Sequence, residues 1–321
     1  MGMWTVPATV LAHSRFAVSP MAEVVGALGH LMPRGAVVDR AFVTAHGDAF
    51  RAMLDEHPGR RELLCASWRP GWLGDFMSIP PTHTSPTFQE ELALVEALGD
   101  KRIRADLRVV TGGPLPRVLT RPGVTAYAVG LLDWVWTHTL VSDWPRRERV
   151  LRADIVARSA RLATHGWAGV LKDLGRDREW LGDGLMRINR GDYPTRALPD
   201  DAQLSFVPVH WRASWVGWDL PQRYAVYYPV TGALALVGRS GTGSLDRLLG
   251  GNRATILRGL DDPASTSALV ARTGLPLGSV GNHLRVLLDN ELVLRRRSGR
   301  EVFYWRTALG DTVVAAGSTP A

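Results

Sequence analysis

Apolar positions change their period partway along the chain. Ser19-Pro20 pairs a capping residue with proline at a first helical position, and Met21, Val24, Val25, Leu28 and Leu31 follow at helical spacing. Phe42, Phe50, Met53 and Leu54 predict a second helix that ends near His57-Pro58-Gly59. Residues 90–98 and 102–109 read as two short helices. Asp143-Trp-Pro opens the longest helix, with Leu151, Ile155, Arg158 and Leu162 on one face and Gly166 at its end. Beyond it the pattern shortens. Residues 185–190, 203–209, 223–229 and 233–237 cluster or alternate apolar positions between Pro, Gly and Asp, which predicts short strands. Pro208 and Pro229 belong at strand edges or ends, because proline cannot donate to a ladder.

A glycine-rich stretch, Gly238-Arg-Ser-Gly-Thr-Gly-Ser244, marks the clearest boundary. No lysine follows at phosphate-loop spacing, so it reads as a linker or a strand-to-helix turn. After it Leu245, Leu248, Leu249, Ile256, Leu257 and Leu260 recur at helical intervals, interrupted by Gly250-Gly251. Ser265 or Thr266 caps a short helix with Leu269 and Val270; Gly274-Leu-Pro276 makes a sharp turn. Ser279 starts a helix through Val280, Leu284, Leu287 and Leu288. Two alternating runs, 292–296 and 301–305, flank Ser298-Gly299, a hairpin signal. The expectation is an α+β protein: a mixed helix-and-strand domain over 1–240, then a winged helix-turn-helix over 245–316. The glycine at the corner supplies the positive φ that lets the two helices of the turn cross steeply.

Composition sharpens the picture. The chain has 321 residues, 38 basic against 31 acidic, for a net +7. Lys101 and Lys172 are its only lysines, so the excess is arginine, whose planar fork suits phosphate and guanine. Residues 245–306 hold ten arginines against six acids. The single cysteine, Cys65, excludes an internal disulfide and a multi-cysteine zinc site, and its apolar neighbours suggest an inert buried thiol. No apolar run reaches the ~18 residues of a membrane span, and no secretory signal opens the chain. A cytoplasmic location follows as the expectation.

The segment from Thr266 to Leu287, with Val280, His283, Leu284 and Leu287 in register, resembles the winged helix of ArsR-type bacterial transcriptional regulators. The run from Asn290 to Tyr304 continues the likeness. The segment before it, including Arg15-Phe-Ala-Val-Ser-Pro20 and Asp75-Phe-Met-Ser-Ile-Pro-Pro81, is similar to a long N-terminal domain found ahead of such winged helices. The resemblance implies a DNA-binding repressor, working as a homodimer on a double-stranded, pseudo-palindromic operator at the nucleoid. It places Ser279, Asn282, His283 and Arg285 toward bases or phosphates, and Arg297 and Arg300 at the hairpin tip toward backbone or minor groove. Val270 stands where the family usually has alanine, and Gly278 and Gly281 interrupt the recognition helix. The metal-sensing positions of the family read Ser267-Ala-Leu-Val-Ala271 and Gly310-Asp-Thr-Val-Val314, which cannot chelate. No metal or cofactor is expected.

Eleven of the twelve tryptophans precede this segment. They either fill a core or interface, or line a pocket for a flat aromatic or apolar effector. Trp134, Trp136, Trp211 and Trp215 are the pocket candidates, each pair spaced to place both rings on one face of a strand. No GxSxG or HExxH motif appears, so no catalytic residues are assigned. Two other readings stay open: a winged-helix protein-interaction module, and an enzyme carrying an appended DNA-binding domain.

Overall fold

The computed structural model describes residues 2–32, 39–69, 72–171, 174–175, 178–191, 195–230, 244–298 and 301–316. The chain is a mixture of helix and strand, an α+β protein, and forms two compact units. One comprises Met1–Pro145 and Trp167–Pro229, the other Arg146–Gly166 and Val230–Ala321. This differs from the expected division between 240 and 245: twenty-odd residues of the longest helix cluster with the C-terminal segment. The expected strand at 233–237 and the glycine-rich stretch 238–243 lie outside the described residues.

The first unit runs β1 (Met3–Thr5), α1 (Ala8–Ala12), β2 (Arg15–Phe16), α2 (Pro20–Leu31), α3 (Arg40–Glu56) and α4 (Pro58–Ser67). A small hairpin, β3 (Trp68–Arg69) and β4 (Trp72–Leu73), leads into a 3-10 turn at Asp75–Met77. Then come α5 (Phe88–Thr111), α6 (Arg117–Thr120), α7 (Val124–Val135), a π-turn at Trp136–Leu140 and α8 (Trp144–Val170), which the division crosses at Gly166. Strands β5 (Glu179–Gly182), β6 (Leu185–Arg187), β7 (Arg196–Ala197), β8 (Gln203–Val209), β9 (Trp215–Asp219) and β10 (Arg223–Pro229) complete the unit. They build two four-stranded sheets, ordered β5-β6-β1-β7 and β2-β8-β10-β9.

Local chemistry accounts for the helix ends. Ser19 caps α2, its hydroxyl accepting from the Ala22 amide at 3.0 Å. Pro58, expected to end a helix, instead opens α4, since proline at a first helical position loses no bond. The two helices expected at 90–98 and 102–109 are the halves of α5, separated at Gly99 (φ 67°). The break leaves Asp100 free to cap α7, accepting from the amides of Gly123 at 2.7 Å and Thr125 at 2.8 Å. Those amide bonds, the Thr125 amide foremost, hold the Asp100 carboxyl down at about 2.

Apolar side chains of α2–α5 and α7, Leu28, Phe50, Leu63, Ile103 and Leu132 among them, form one core cluster; Trp4, Met186, Phe206, Tyr224 and Tyr228 anchor another. Buried carboxyls lie inside as well. Glu23 accepts from the His210 amide at 2.6 Å; Glu91 accepts from the Ser19 hydroxyl at 2.6 Å and the Met21 amide at 2.8 Å. Burial pushes Glu91 up to about 8. Cys65 is exposed: Leu63, Leu64 and Ala66 turn inward, and the residue among them faces solvent.

The strand expected to present Trp134 and Trp136 on one face is not formed. Trp134 lies on α7 and Trp136 on the following π-turn, where a spacing of two sends rings to different sides of a helix. Each ring is taken up by its own neighbours. Trp134 stacks on His138 at 4.5 Å, Trp136 on Phe88 at 4.7 Å and Trp215 on Tyr227 at 4.8 Å. Trp211 is buried between His30 and Phe42 and donates to the Glu23 carbonyl at 2.9 Å. Trp211 is part of the core, and Trp134, Trp136 and Trp215 pack partly buried against it.

The second unit contains residues 146–166 of α8, then α9 (Ser244–Leu249), α10 (Gly251–Arg258), β11 (Ala264–Ser265), α11 (Thr266–Thr273), α12 (Leu277–Asp289), β12 (Val293–Ser298), β13 (Glu301–Arg306) and α13 (Ala308–Ala316). Its sheet is ordered β11-β13-β12. Ile256, Leu257, Leu269, Val280, Leu284, Leu287, Val293 and Tyr304 make the core. Charged groups supplement it. Arg158 donates to Asp154 at 3.0 Å, both almost fully buried, and Arg161 holds Asp262 through two nitrogens. Arg272 is buried with its guanidinium on the Gly259 carbonyl, 2.8 Å away.

Candidate nucleic-acid interface

Helix α12 has two unlike faces. Val280, Leu284 and Leu287 are buried, four and three residues apart, and hold the helix to its unit. Gly278, Gly281, Asn282, Arg285 and Asp289 are exposed. Ser279 and His283, one turn apart, are half-buried at the border. The helix is set by the corner before it. Gly274 adopts the left-handed conformation (φ 70°) and ties its amide to the Val270 carbonyl at 2.9 Å. Pro276 then stands at the N-cap, where its side chain makes no cap hydrogen bond to the first-turn amides. Helix-start amides in that condition attract anions.

The hairpin supplies the charge. Val293 is buried, but Leu294, Arg295, Arg296, Arg297 and Ser298 are all exposed, so β12 leaves the core after one residue. Arg295 pairs across the ladder with Tyr304, Arg296 with Phe303 and Arg297 with Val302. A strand alternates faces, yet Arg295 and Arg296 are both exposed. Gly299 and Arg300 at the tip lie outside the described residues.

The structure sorts the described arginines of 245–306. Arg258 pairs with Asp246 at 2.9 Å; Arg306 pairs with Asp261 at 2.5 Å and Asp311 at 2.6 Å; Arg272 is buried. Among the exposed ones are Arg285 on α12 and Arg295, Arg296 and Arg297 on β12. Asn282 and Arg285 share the open face of α12 and Arg297 is exposed on the ribbon; His283 and Ser279 are less accessible. Arg295 and Arg296, exposed on β12, were not among the residues the sequence assigned to DNA.

Glycine in α12 is not required by the fold. A Cβ on Gly278 or Gly281 would meet nothing within 4 Å. Among the described residues no three His, Cys, Asp or Glu side chains gather to hold a metal ion, and no helix is long and apolar enough to cross a membrane. No family model, curated protein or solved structure matches the chain.

Proposed function

We propose that the protein is a sequence-specific, double-stranded-DNA-binding transcriptional repressor whose second unit is a winged helix-turn-helix of the ArsR type. The observation that carries the reading is the pairing of an exposed helix face, bearing Asn282 and Arg285, with a ribbon whose Arg295, Arg296 and Arg297 are all exposed. A helix about 10 Å across fits the major groove of B-DNA, and its first-turn amides suit a phosphate at the groove edge. In this reading Asn282 and Arg285 meet base edges, Arg297 and Arg300 meet the phosphate backbone or minor groove, and His283 and Ser279 support from the border. The protein acts in the cytoplasm as a homodimer, two copies of α12 reading half-sites one or two helical turns apart and excluding polymerase.

The test is a titration of the full chain with genomic-fragment and random duplexes between 50 and 200 mM salt. Replacing Arg295, Arg296 and Arg297 together by alanine should weaken binding to every duplex and lower the salt slope by roughly 2–3, at about 0.9 per lost phosphate contact. Asn282→Ala should reduce discrimination between preferred and random sequences. A chain that ignores duplex DNA at 50 mM salt, or binds it with no salt dependence, contradicts the proposal.

A further inference from the structure

The first unit contains a cavity of about 190 Å³ that the DNA-binding reading does not use. It lies between the second half of α5, which contributes Arg102, Ala105 and Asp106, and the Asp75–Met77 turn with the end of β9. Its polar end is built by two carboxyls. Asp75 accepts from the Trp218 indole N–H at 2.9 Å, and Asp106 accepts from the Phe76 amide at 2.9 Å. The wall is aromatic and fixed: Trp218 is met edge-on by Trp4 and Trp72, each 6.4 Å away, and the Arg196 guanidinium lies over its ring at 5.4 Å. The turn is seated just as firmly, since a Cβ on Gly217 would overlap the Ser78 carbonyl, and the Tyr227 hydroxyl donates to the Ile79 carbonyl at 3.1 Å.

We propose that this cavity binds a small organic cation, a primary ammonium or amidinium on an apolar body about one ring in size. Size comes first: a dry cavity of about 150 Å³ takes up benzene, so this one holds a ring and a short substituent. Charge comes next. Two carboxyls share the inner end, while Arg102 is exposed and solvent screens it. Asp219, also at the edge, is already paired with Arg223 at 2.5 Å. Burial, then the Asp106 charge, raises Asp75 to about 7, against the lowering influence of Trp218, Arg102 and Arg196. Burial also raises Asp106. The pair therefore holds a proton near neutrality, and an entering cation takes the place of that proton. The Trp218 ring, part of the cavity lining, supplies the apolar contact for the ligand's body.

The experiment is calorimetry on the full chain with benzylamine as the probe, benzyl alcohol and benzoate as controls, at pH 8 and pH 6. Benzylamine should bind at one site per chain, about tenfold more weakly at pH 6, because a proton competes for Asp75. Both controls should bind at least tenfold more weakly. Asp75→Asn should cost tenfold or more at pH 8 and remove the pH effect. Ala105→Phe, at an exposed position lining the cavity, should block entry without disturbing the core, and decides the matter if Asp75→Asn fails to fold. Absence of saturation at millimolar benzylamine, equal or tighter binding of either control, or a folded variant of either kind that keeps full affinity, overturns the proposal. None of these outcomes touches the DNA titration.

Discussion

Two kinds of glycine separate at the scale of single residues. A Cβ on Gly26 would overlap the Trp211 indole, so Gly26→Ala should destabilise the first unit by about 1–3 kcal/mol in urea titrations. Gly278→Ala and Gly281→Ala meet open space, and each should stabilise the second unit by up to ~1 kcal/mol through helix propensity. Titratable residues separate in the same way. Glu91 is raised from 4.5 to about 8, so the folded chain holds a proton there that the unfolded chain has released. Its protonated, bonded form stabilises fully below pH 4.5, and that contribution is lost as pH rises toward 8. Asp100, lowered from 3.8 to about 2, behaves oppositely: its contribution is complete above pH 3.8 and lost as pH falls toward 2. The first unit should therefore be most stable near pH 4–5. Glu91→Gln should flatten the decline between pH 5 and 8, read from urea midpoints; a decline unchanged in that variant would place its origin elsewhere.

At the scale of elements, what the sequence revealed was local. Ser19-Pro20, the break at Gly99, the corner at Gly274 and the alternation of 203–209 and 223–229 each announce themselves within a few residues, and the elements stand there. What it hid was set by distant partners. Trp134 and Trp136 share the spacing of a strand pair, but their stretch is mostly apolar, broken by Thr125 and Asp133, and such a run suits a buried helix as well. The cavity was invisible because Asp75, Asp106 and Trp218 are 31 and 112 residues apart in succession. Of the candidate interface, the helix and ribbon were legible, whereas the exposure of both Arg295 and Arg296 depends on β12 leaving the core after Val293. Helix α12 also offers a trade. The glycine-to-alanine changes that stabilise it should weaken duplex binding, since each added methyl stands between the helix backbone and a DNA surface; stabilisation with unchanged DNA affinity would show that the duplex does not approach there.

At the scale of the whole molecule, two compact units imply two unfolding events rather than one. Calorimetry should resolve them and assign them by perturbation. Raising pH from 5 to 8 should lower the transition of the unit containing Glu91 and Asp75. Asp154→Ala removes the carboxylate that accepts from the buried Arg158 and should lower the other by about 3–5 kcal/mol of stability. A single transition shifted by both changes would mean that the two cores melt together.

Because residues 146–166 belong with the C-terminal segment, the bond from Arg161 to Asp262 spans 101 positions of chain. During synthesis that helix leaves the ribosome long before anything exists for it to pack against, and closing so large a loop carries an entropic delay. A gene truncated at the glycine-rich stretch would strand the helix on one product and leave Asp262 unpaired on the other. Splicing 146–166 directly onto 244–316 would instead shorten the closure to a local step, giving a miniature whose refolding should be markedly faster than that of the intact chain.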